Sequence, residues 1–170
     1  YGLSKEKLEK LIDMGIIDIR DVPEDYIDKE KYLRHWKIMK SEEDYYIEKE
    51  EIEKSLENLK YPLYFLDYET YDPAIPFFDG YRPYQRITFQ YSLHIQEKPG
   101  SMLMHYHFLS KESDDPSPKL AESLTKIIGG KGSVIAWNKS FESGCNTEMG
   151  ERYPQYAKFF EDVNSRMYDL

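Results

Sequence analysis

The run of residues 63–70 constrains the fold more than any other part of the sequence. Side chains alternate between the two faces of a β-strand, and in this run both faces begin with apolar side chains. One face would carry Tyr64, Leu66 and Tyr68, and the other Leu63 and Phe65. Because apolar residues on both faces are typical of a strand that is covered on both sides, we predict an α/β fold with this strand at its centre.

Two carboxylates, Asp67 and Glu69, follow Leu63 and Phe65 on the second face. They would lie about 7 Å apart along the strand. Two acids on one rigid strand can hold a divalent cation, or each can contact one of two cations about 4 Å apart, an arrangement that supports phosphodiester hydrolysis. The chain has 32 Asp and Glu residues, so pairs with this spacing also arise by chance and are then simply solvated. Their place at the end of an apolar strand makes Asp67 and Glu69 candidate metal ligands, with a chance pair of solvated charges as the alternative.

A short buried strand followed by the start of a helix forms the second pattern. Residues 133–137 are mostly apolar, and Asn138 can cap the helix that follows by accepting a hydrogen bond from a free backbone N–H. Phe141 would then enter the core, and the helix dipole would favour Glu142 in the first turn. If this strand lies beside the strand of Asp67, the helix begins at the same edge of the sheet and Glu142 can reach the same cation.

Together, the two patterns resemble the motifs of the DnaQ-like, or DEDD, exonucleases of the RNase H-like superfamily. The first motif, Asp-x-Glu-Thr on the first strand, is matched by residues 67–70, and the second, Asn-x-x-Phe-Asp, by residues 138–142. The chain departs from the second motif at Glu142, where a carboxylate one methylene longer replaces Asp. The resemblance implies a two-metal site that binds Mg²⁺ or Mn²⁺. Its metal ligands and catalytic residues would be Asp67, Glu69 and Glu142, and its supporting residues Thr70, Asn138 and Phe141.

A closer resemblance, over about residues 60–170, is to a bacterial domain family of unknown function with the same core. The shared patterns are Arg82-Pro83-Tyr84-Gln85, residues 89–94, Trp137-Asn138-x-x-Phe141-Glu142 and residues 166–170. Members tend to follow RecB-like or Cas4-like nuclease segments in the same parent protein. This resemblance implies a part in DNA processing.

The two resemblances imply a metal-dependent nuclease, a 3′-5′ exonuclease that acts on DNA or RNA ends. The alternative is a non-catalytic RNase H-like module that positions nucleic acid or a neighbouring nuclease domain in a larger DNA-processing protein. DEDD exonucleases also have a fourth acid on a helix beyond the fifth strand, so we expect the domain to be truncated at its C-terminus and inactive as given. Asp169 is a candidate fourth acid, but its spacing differs from the family pattern. The resemblance implies that it stands at the end of the fifth strand and caps a following helix.

The net charge of −9 argues against broad, non-specific binding of nucleic acid, because phosphate contacts require Lys and Arg. Bound cations would supply part of the attraction for phosphate, and a local basic edge can suffice for short single-stranded ends. The candidates for substrate contacts are Arg82, Tyr84, Gln85 and Lys139, with Arg86 beside them. Ordinary surface charges are the alternative interpretation of the basic residues.

The chain divides near residues 60–62 into a small helical N-terminal region or linker module, residues 1–59, and an RNase H-like domain, residues 60–170. Caps, breakers and apolar periodicity predict N-terminal helices after Ser4, near 28–39 and at 42–59. In residues 60–170 the sequence predicts strands at 62–69, 86–95, 102–109, 133–137 and 165–169. It predicts helices at 117–129, 139–150 and after Pro154. This order fits a mixed five-stranded sheet of the RNase H-like type with flanking helices.

The apolar runs and the number of cysteines indicate in which cellular compartment the protein is expected. No apolar run of about 18 residues is present, and the first residues do not resemble a signal peptide. The single Cys145 excludes an internal disulfide and a Cys-rich zinc site, and we expect its side chain to be packed inside. We therefore expect a cytoplasmic protein without a membrane partner.

Overall fold

A computed structural model describes residues 3–41 and 45–170 of the chain. Its internal contacts divide the chain into two compact units, Tyr1–Ser55 and Leu56–Leu170. Among the described residues, no helix is both long enough and apolar enough to cross a membrane.

The N-terminal unit is helical, as its sequence predicts. Ser4 caps α1 by accepting a hydrogen bond from the Lys7 backbone N–H, and Gly15 follows the helix with a φ of 73°. A small core joins Leu11 of α1 to Val22 and Trp36. The helices before the sheet are α1 (Lys5–Asp13), α2 (Glu30–Lys40) and α3 (Lys49–Glu57), whose last two residues are assigned to the second unit. Short 3-10 helices lie at Ile19–Asp21 and Glu24–Tyr26. Residues 42–44 of the third predicted helix lie outside the described residues, and the helix is shorter than predicted.

The second unit is built on a five-stranded sheet. Its strands are β1 (Leu63–Tyr71), β2 (Ile87–Gln96), β3 (Met104–Leu109), β4 (Ser133–Ala136) and β5 (Met167–Asp169). They lie in the order β3-β2-β1-β4-β5. β1 pairs antiparallel with β2 and parallel with β4, β2 pairs antiparallel with β3, and β4 pairs parallel with β5. The predicted fold class, α/β with a mixed five-stranded sheet, flanking helices and a helical N-terminal region, is therefore confirmed.

Three helices cover one face of this sheet. They are α4 (Ser117–Thr125), α5 (Lys139–Arg152) and α6 (Ala157–Ser165). Tyr64, Leu66 and Tyr68 of β1 enter the same core cluster as apolar residues from all three helices. Cys145 of α5 is fully buried there, as expected.

The second face of β1 differs from the prediction that the strand is covered on both sides. Leu63 is buried on it, as is Ile135 on the same face of the neighbouring β4, but Asp67 and Glu69 are exposed. The core residues of α4, α5 and α6 all belong to the opposite face. The end of β1 therefore leaves both carboxylates in contact with solvent, where their charges keep their hydration.

Several element boundaries also differ from the sequence expectation. β1 continues to Tyr71, with an irregular register between Glu69 and Thr70. α4 ends at Thr125, before the predicted stop at residues 129–130, because the next residues form a tighter turn onto the Leu124 carbonyl. These shifts do not change the order of the elements.

Candidate functional site

Asp67 and Glu69 lie on β1 opposite Ser92 and Gln90 of β2. Both carboxylates are exposed. Within residues 3–41 and 45–170, neither makes a hydrogen bond or an ion pair. Two acids without protein partners at a strand end remain available to a ligand.

Helix α5 begins at the same end of the sheet. β4, which leads into α5, runs parallel to β1 with Ile135 opposite Phe65. Asn138 caps the helix as predicted: its side-chain oxygen accepts hydrogen bonds from the Ser140 hydroxyl at 2.6 Å and the Phe141 backbone N–H at 3.4 Å. This cap holds Glu142 in the first turn of α5.

Glu142 is the most unusual side chain of this region, because only 3% of its surface is exposed. Its Oε2 is buried and has no hydrogen-bond partner in the described part of the chain. Burial, with a contribution from the charges of Asp67 and Asp169, raises the pKa of Glu142 above its ordinary value. A buried carboxylate oxygen with no partner is rare, since its desolvation is not offset.

Asp169 ends β5 opposite Ala136. Its Oδ1 accepts a hydrogen bond of 2.7 Å from the backbone N–H of Lys139, the first residue of α5. The helix that Asp169 caps is therefore the preceding α5. The like charges of Asp67 and Asp169 contribute to the raised pKa of Glu142. Asp67, Glu142 and Asp169 are called the acid cluster below.

The acid cluster offers the hard oxygen ligands that Mg²⁺ and Mn²⁺ prefer. The unpartnered Glu142 Oε2 and the unpaired Asp67 carboxylate fit such an ion. However, no group of three His, Cys, Asp or Glu side chains in the described ranges could hold a metal ion as it stands. The donor chemistry fits a cation, while the side chains would have to move closer together to bind it.

A groove of about 810 Å³ lies between the β1–β2 loop, residues 72–86, and α5. Three of the four predicted substrate-binding residues line it, and the fourth, Lys139, does not. The three are Arg82, Tyr84 and Gln85. They form a turn in which Gln85 accepts a hydrogen bond from the Arg82 backbone N–H at 3.0 Å, and Tyr84 has a φ of 58°. The supporting residues Thr70 and Phe141 also line the groove, and the acid cluster does not.

Arg86 belongs to the wall of the groove. Its Nη2 lies 2.6 Å from a carboxylate oxygen of Glu148 on α5, and this contact raises the pKa of Arg86. Its guanidinium also lies 5.1 Å from the centre of the Phe141 ring. Arg86 thus joins the loop to α5, and its charge is already paired within the protein.

A second arginine, Arg152, fixes the middle of the loop. Its guanidinium stacks on Tyr81 at 3.6 Å and donates hydrogen bonds to the carbonyls of Asp79 at 2.7 Å and Gly80 at 3.2 Å. Asp115 accepts hydrogen bonds from the Tyr81 hydroxyl, at 2.9 Å, and from the Tyr153 hydroxyl. Sequence reasoning missed this anchor, because nothing distinguishes Arg152 from an ordinary surface charge until the fold places it against the loop.

A buried polar chain links β1 to the helices behind it. The Tyr68 hydroxyl donates to Asn146 at 2.7 Å, and Asn146 donates to Asn164 of α6 at 2.7 Å. Asn164 in turn donates to the Ser143 carbonyl at 3.1 Å. Tyr68 stands between Asp67 and Glu69 in the sequence, so this chain fixes the position of α5 and Glu142 relative to the strand acids.

No curated protein and no solved structure matches the chain. One family model does match, over residues 64–170, which include the whole sheet except its first strand residue. These residues hold the acid cluster, the groove and the loop anchors. The chain therefore belongs to the family described as Domain of unknown function (DUF2779).

Proposed function

We propose that the second unit is a metal-dependent nuclease domain that removes nucleotides from the 3′ ends of DNA or RNA. The observation that carries this proposal is the buried, unpartnered Oε2 of Glu142 beside two further carboxylates. Burying such an oxygen destabilises the folded state unless a ligand binds to it. A divalent cation is the ligand that also relieves repulsion within the acid cluster.

The candidate ligands are Asp67, Glu69 and Glu142, with Asp169 as the candidate fourth acid. When bound, Mg²⁺ or Mn²⁺ would activate water and stabilise the charge that develops on the phosphate. The protein would contribute the positions of its acids. Asn138 sets the first turn of α5, and the Tyr68 chain fixes α5 against β1.

Resemblance to the DEDD exonucleases supports the same reaction. Residues 67–70 and 138–142 match their first two motifs, and the strand order fits the RNase H-like type. In that family the second-motif acid is Asp, and here Glu142 carries a carboxylate one methylene longer.

A non-catalytic module is the second candidate function, and two observations favour it. No group of three acids within the described residues is ready to hold a metal. Arg86 and Arg152, two cations of the groove, are engaged with Glu148 and with loop carbonyls. In this alternative, the domain would position nucleic acid or a neighbouring RecB-like or Cas4-like nuclease segment of the same parent protein.

Digestion of single strands labelled at the 3′ or the 5′ end separates these functions. We expect the intact parent protein with Mn²⁺ to release the 3′ label first. Glu142→Gln should abolish the release, because the amide cannot replace the carboxylate as a ligand. Glu161→Gln, at an exposed carboxylate of α6, is the matched control and should leave the rate unchanged. An intact protein that degrades no strand with Mg²⁺ or Mn²⁺ would favour the non-catalytic module.

A further inference from the structure

Strand β3 forms one edge of the sheet, and within residues 3–41 and 45–170 it pairs with β2 alone. All its residues except Phe108 are exposed. An edge strand presents a row of unpaired N–H and C=O groups with which another strand can pair. At the opposite edge, β5 has only three residues and ends in the charged Asp169, and both features limit such pairing. β3 has six residues and is open to it.

The composition of β3 is that of an internal strand. Residues 101–110 contain no Asp, Glu, Lys, Arg or Pro, although charged residues make up 32% of the chain. Charges and prolines are the usual means by which proteins protect an edge strand from further pairing. β2 also lacks charged residues, but it has a strand on each side. We therefore expect a further strand to cover the outer side of β3.

A hydrogen bond of 3.2 Å from the Ser110 N–H to the Phe89 carbonyl shows which backbone groups point outward. It follows the register that pairs His105 with His94. Because backbone groups alternate in direction along an antiparallel strand, the even-numbered residues of β3 direct their N–H and C=O groups toward β2. Odd-numbered residues such as His105 and His107 direct theirs to the open edge. An added strand would form its hydrogen bonds with these odd-numbered residues.

A second copy of β3 fits this edge in an antiparallel register centred on Tyr106. Odd-numbered residues then face odd-numbered residues, so the outward backbone groups meet as hydrogen-bonded pairs. Side chains of similar character meet across the pair, and no like charges oppose each other. The facing residues of the two copies are Tyr106 with Tyr106, His105 with His107, Met104 with Phe108, and Leu103 with Leu109.

We propose that β3 is the interface of a homodimer in which two sheets join edge to edge, with five strands from each copy. The two-fold axis passes beside Tyr106, so the same surface is used on both copies. The self-complementary, uncharged sequence of residues 103–109 favours a second copy over a strand of different sequence. One pair of short strands buries less surface than a permanent interface, so the dimer exchanges with the monomer on dilution.

Sedimentation velocity across a dilution series of the full chain tests the dimer, which should dissociate as the protein is diluted. Tyr106→Lys places two like charges opposite each other on the axis, and the dissociation constant should rise by roughly tenfold or more. Tyr106 does not belong to the core cluster, so the Tm should change little. Ile75→Lys, at an exposed apolar residue of the β1–β2 loop, is the matched control and should leave the dissociation constant unchanged.

Disulfide formation tests the register. Facing residues at position 106 form a pair without backbone hydrogen bonds, with Cα atoms about 4.5 Å apart, a distance that a disulfide spans. Tyr106→Cys should therefore give a covalent dimer under mild oxidation. His107→Cys is the matched control, because its two thiols face His105 of the opposite copy and their Cα atoms lie more than about 7 Å apart. Cys145 is buried, so the unmodified protein should not be cross-linked.

Three outcomes would contradict the β3 dimer. A chain that stays monomeric at every concentration would overturn the second copy as the partner of this edge. A dimer that Tyr106→Lys does not weaken would show that another surface forms it. Cross-linking of His107→Cys that is as fast as that of Tyr106→Cys would overturn the register centred on Tyr106.

Discussion

Asp169 accepts a hydrogen bond from the backbone N–H of Lys139, with 2.7 Å between oxygen and nitrogen. This bond joins the last strand of the sheet to the first turn of α5. It uses one oxygen of the Asp169 carboxylate and fixes the side chain near Glu142. The same contact therefore stabilises a helix end and maintains the repulsion within the acid cluster.

The raised pKa of Glu142 predicts that Glu142→Gln stabilises the metal-free protein near pH 7. The folded state holds the proton of this carboxyl more tightly than the unfolded state. The ionised carboxylate of Glu142 therefore lowers the free energy of unfolding at pH values above the pKa of this group in the unfolded state. Below that pKa, at about pH 4, the effect vanishes. Each unit of pKa difference corresponds to about 1.4 kcal/mol, or a rise in Tm of about 3–6 °C for a chain of this length.

Thermal unfolding at pH 7 and at about pH 4 in a chelator checks this prediction. The rise in Tm caused by Glu142→Gln should be present at pH 7 and lost at about pH 4. Glu161→Gln should change Tm little at either pH, because its side chain is exposed. A gain of equal size at both values would show that the charge of Glu142 is not its cause.

Metal titration should distinguish Asp67 from Glu69. The charge of Asp67 contributes to the raised pKa of Glu142, and Glu69 lies two residues farther along β1. We expect Mn²⁺ to raise the Tm of the unmodified protein through binding to the folded state. Asp67→Asn should lose most of that rise, and Glu69→Gln should lose less. If Mn²⁺ raised the Tm of Asp67→Asn as much as that of the unmodified protein, Asp67 would be excluded as a ligand.

Arg152 anchors the β1–β2 loop, so Arg152→Leu should loosen it. The substitution removes the stacking on Tyr81 and leaves the Asp79 and Gly80 carbonyls without their donor. We expect a loss of roughly 1–3 kcal/mol in the free energy of unfolding. Limited proteolysis should cut within residues 72–86 sooner than in the unmodified protein.

Arg82→Leu is the matched control for the loop. Arg82 is exposed in the same loop, and its side chain makes no ion pair within the described residues. Its replacement should leave both stability and the rate of cleavage by protease nearly unchanged. A loop that is cut no faster in Arg152→Leu than in Arg82→Leu would contradict the role of Arg152 as an anchor.

The sequence predicts the parts of this site that depend on local periodicity. Alternation along residues 63–70 identifies the strand, and the position of Asn138 before an apolar turn identifies the cap. For Glu142 to reach the same edge, the strand before Asn138 had to lie beside the strand of Asp67, and the structure shows this parallel pairing. Periodicity alone could not establish it.

Other parts depend on packing between distant segments, which periodicity does not encode. An apolar face predicts that something covers a strand, but it does not show how far that cover extends toward Asp67. The bonds from Tyr68 to Asn146 and from Asn146 to Asn164 require three elements to meet at one point. Each residue alone is a common core tyrosine or helix amide, so no local signal reveals the connection.

Gly132 is expected to tolerate no side chain, although it lies outside the acid cluster. It precedes β4 with a φ of 91°, a conformation that only glycine adopts readily. A Cβ at this position would lie 2.0 Å from the carbonyl oxygen of Pro62. Gly132→Ala should therefore separate the start of β4 from the chain entering β1, and the free energy of unfolding should fall by more than about 1 kcal/mol.

Gly130→Ala is the matched control, because a Cβ at Gly130 would meet no atom within 4 Å. Denaturant unfolding of both variants measures the difference. The pairing of β1 with β4, which leads into α5 and Glu142, begins at the Leu63–Ser133 pair, one residue after Gly132. Gly132→Ala should therefore also weaken Mn²⁺ binding, while Gly130→Ala should not. Equal stability of the two variants would show that the chain near Pro62 can move without cost, and that the position of β4 is not fixed at this point.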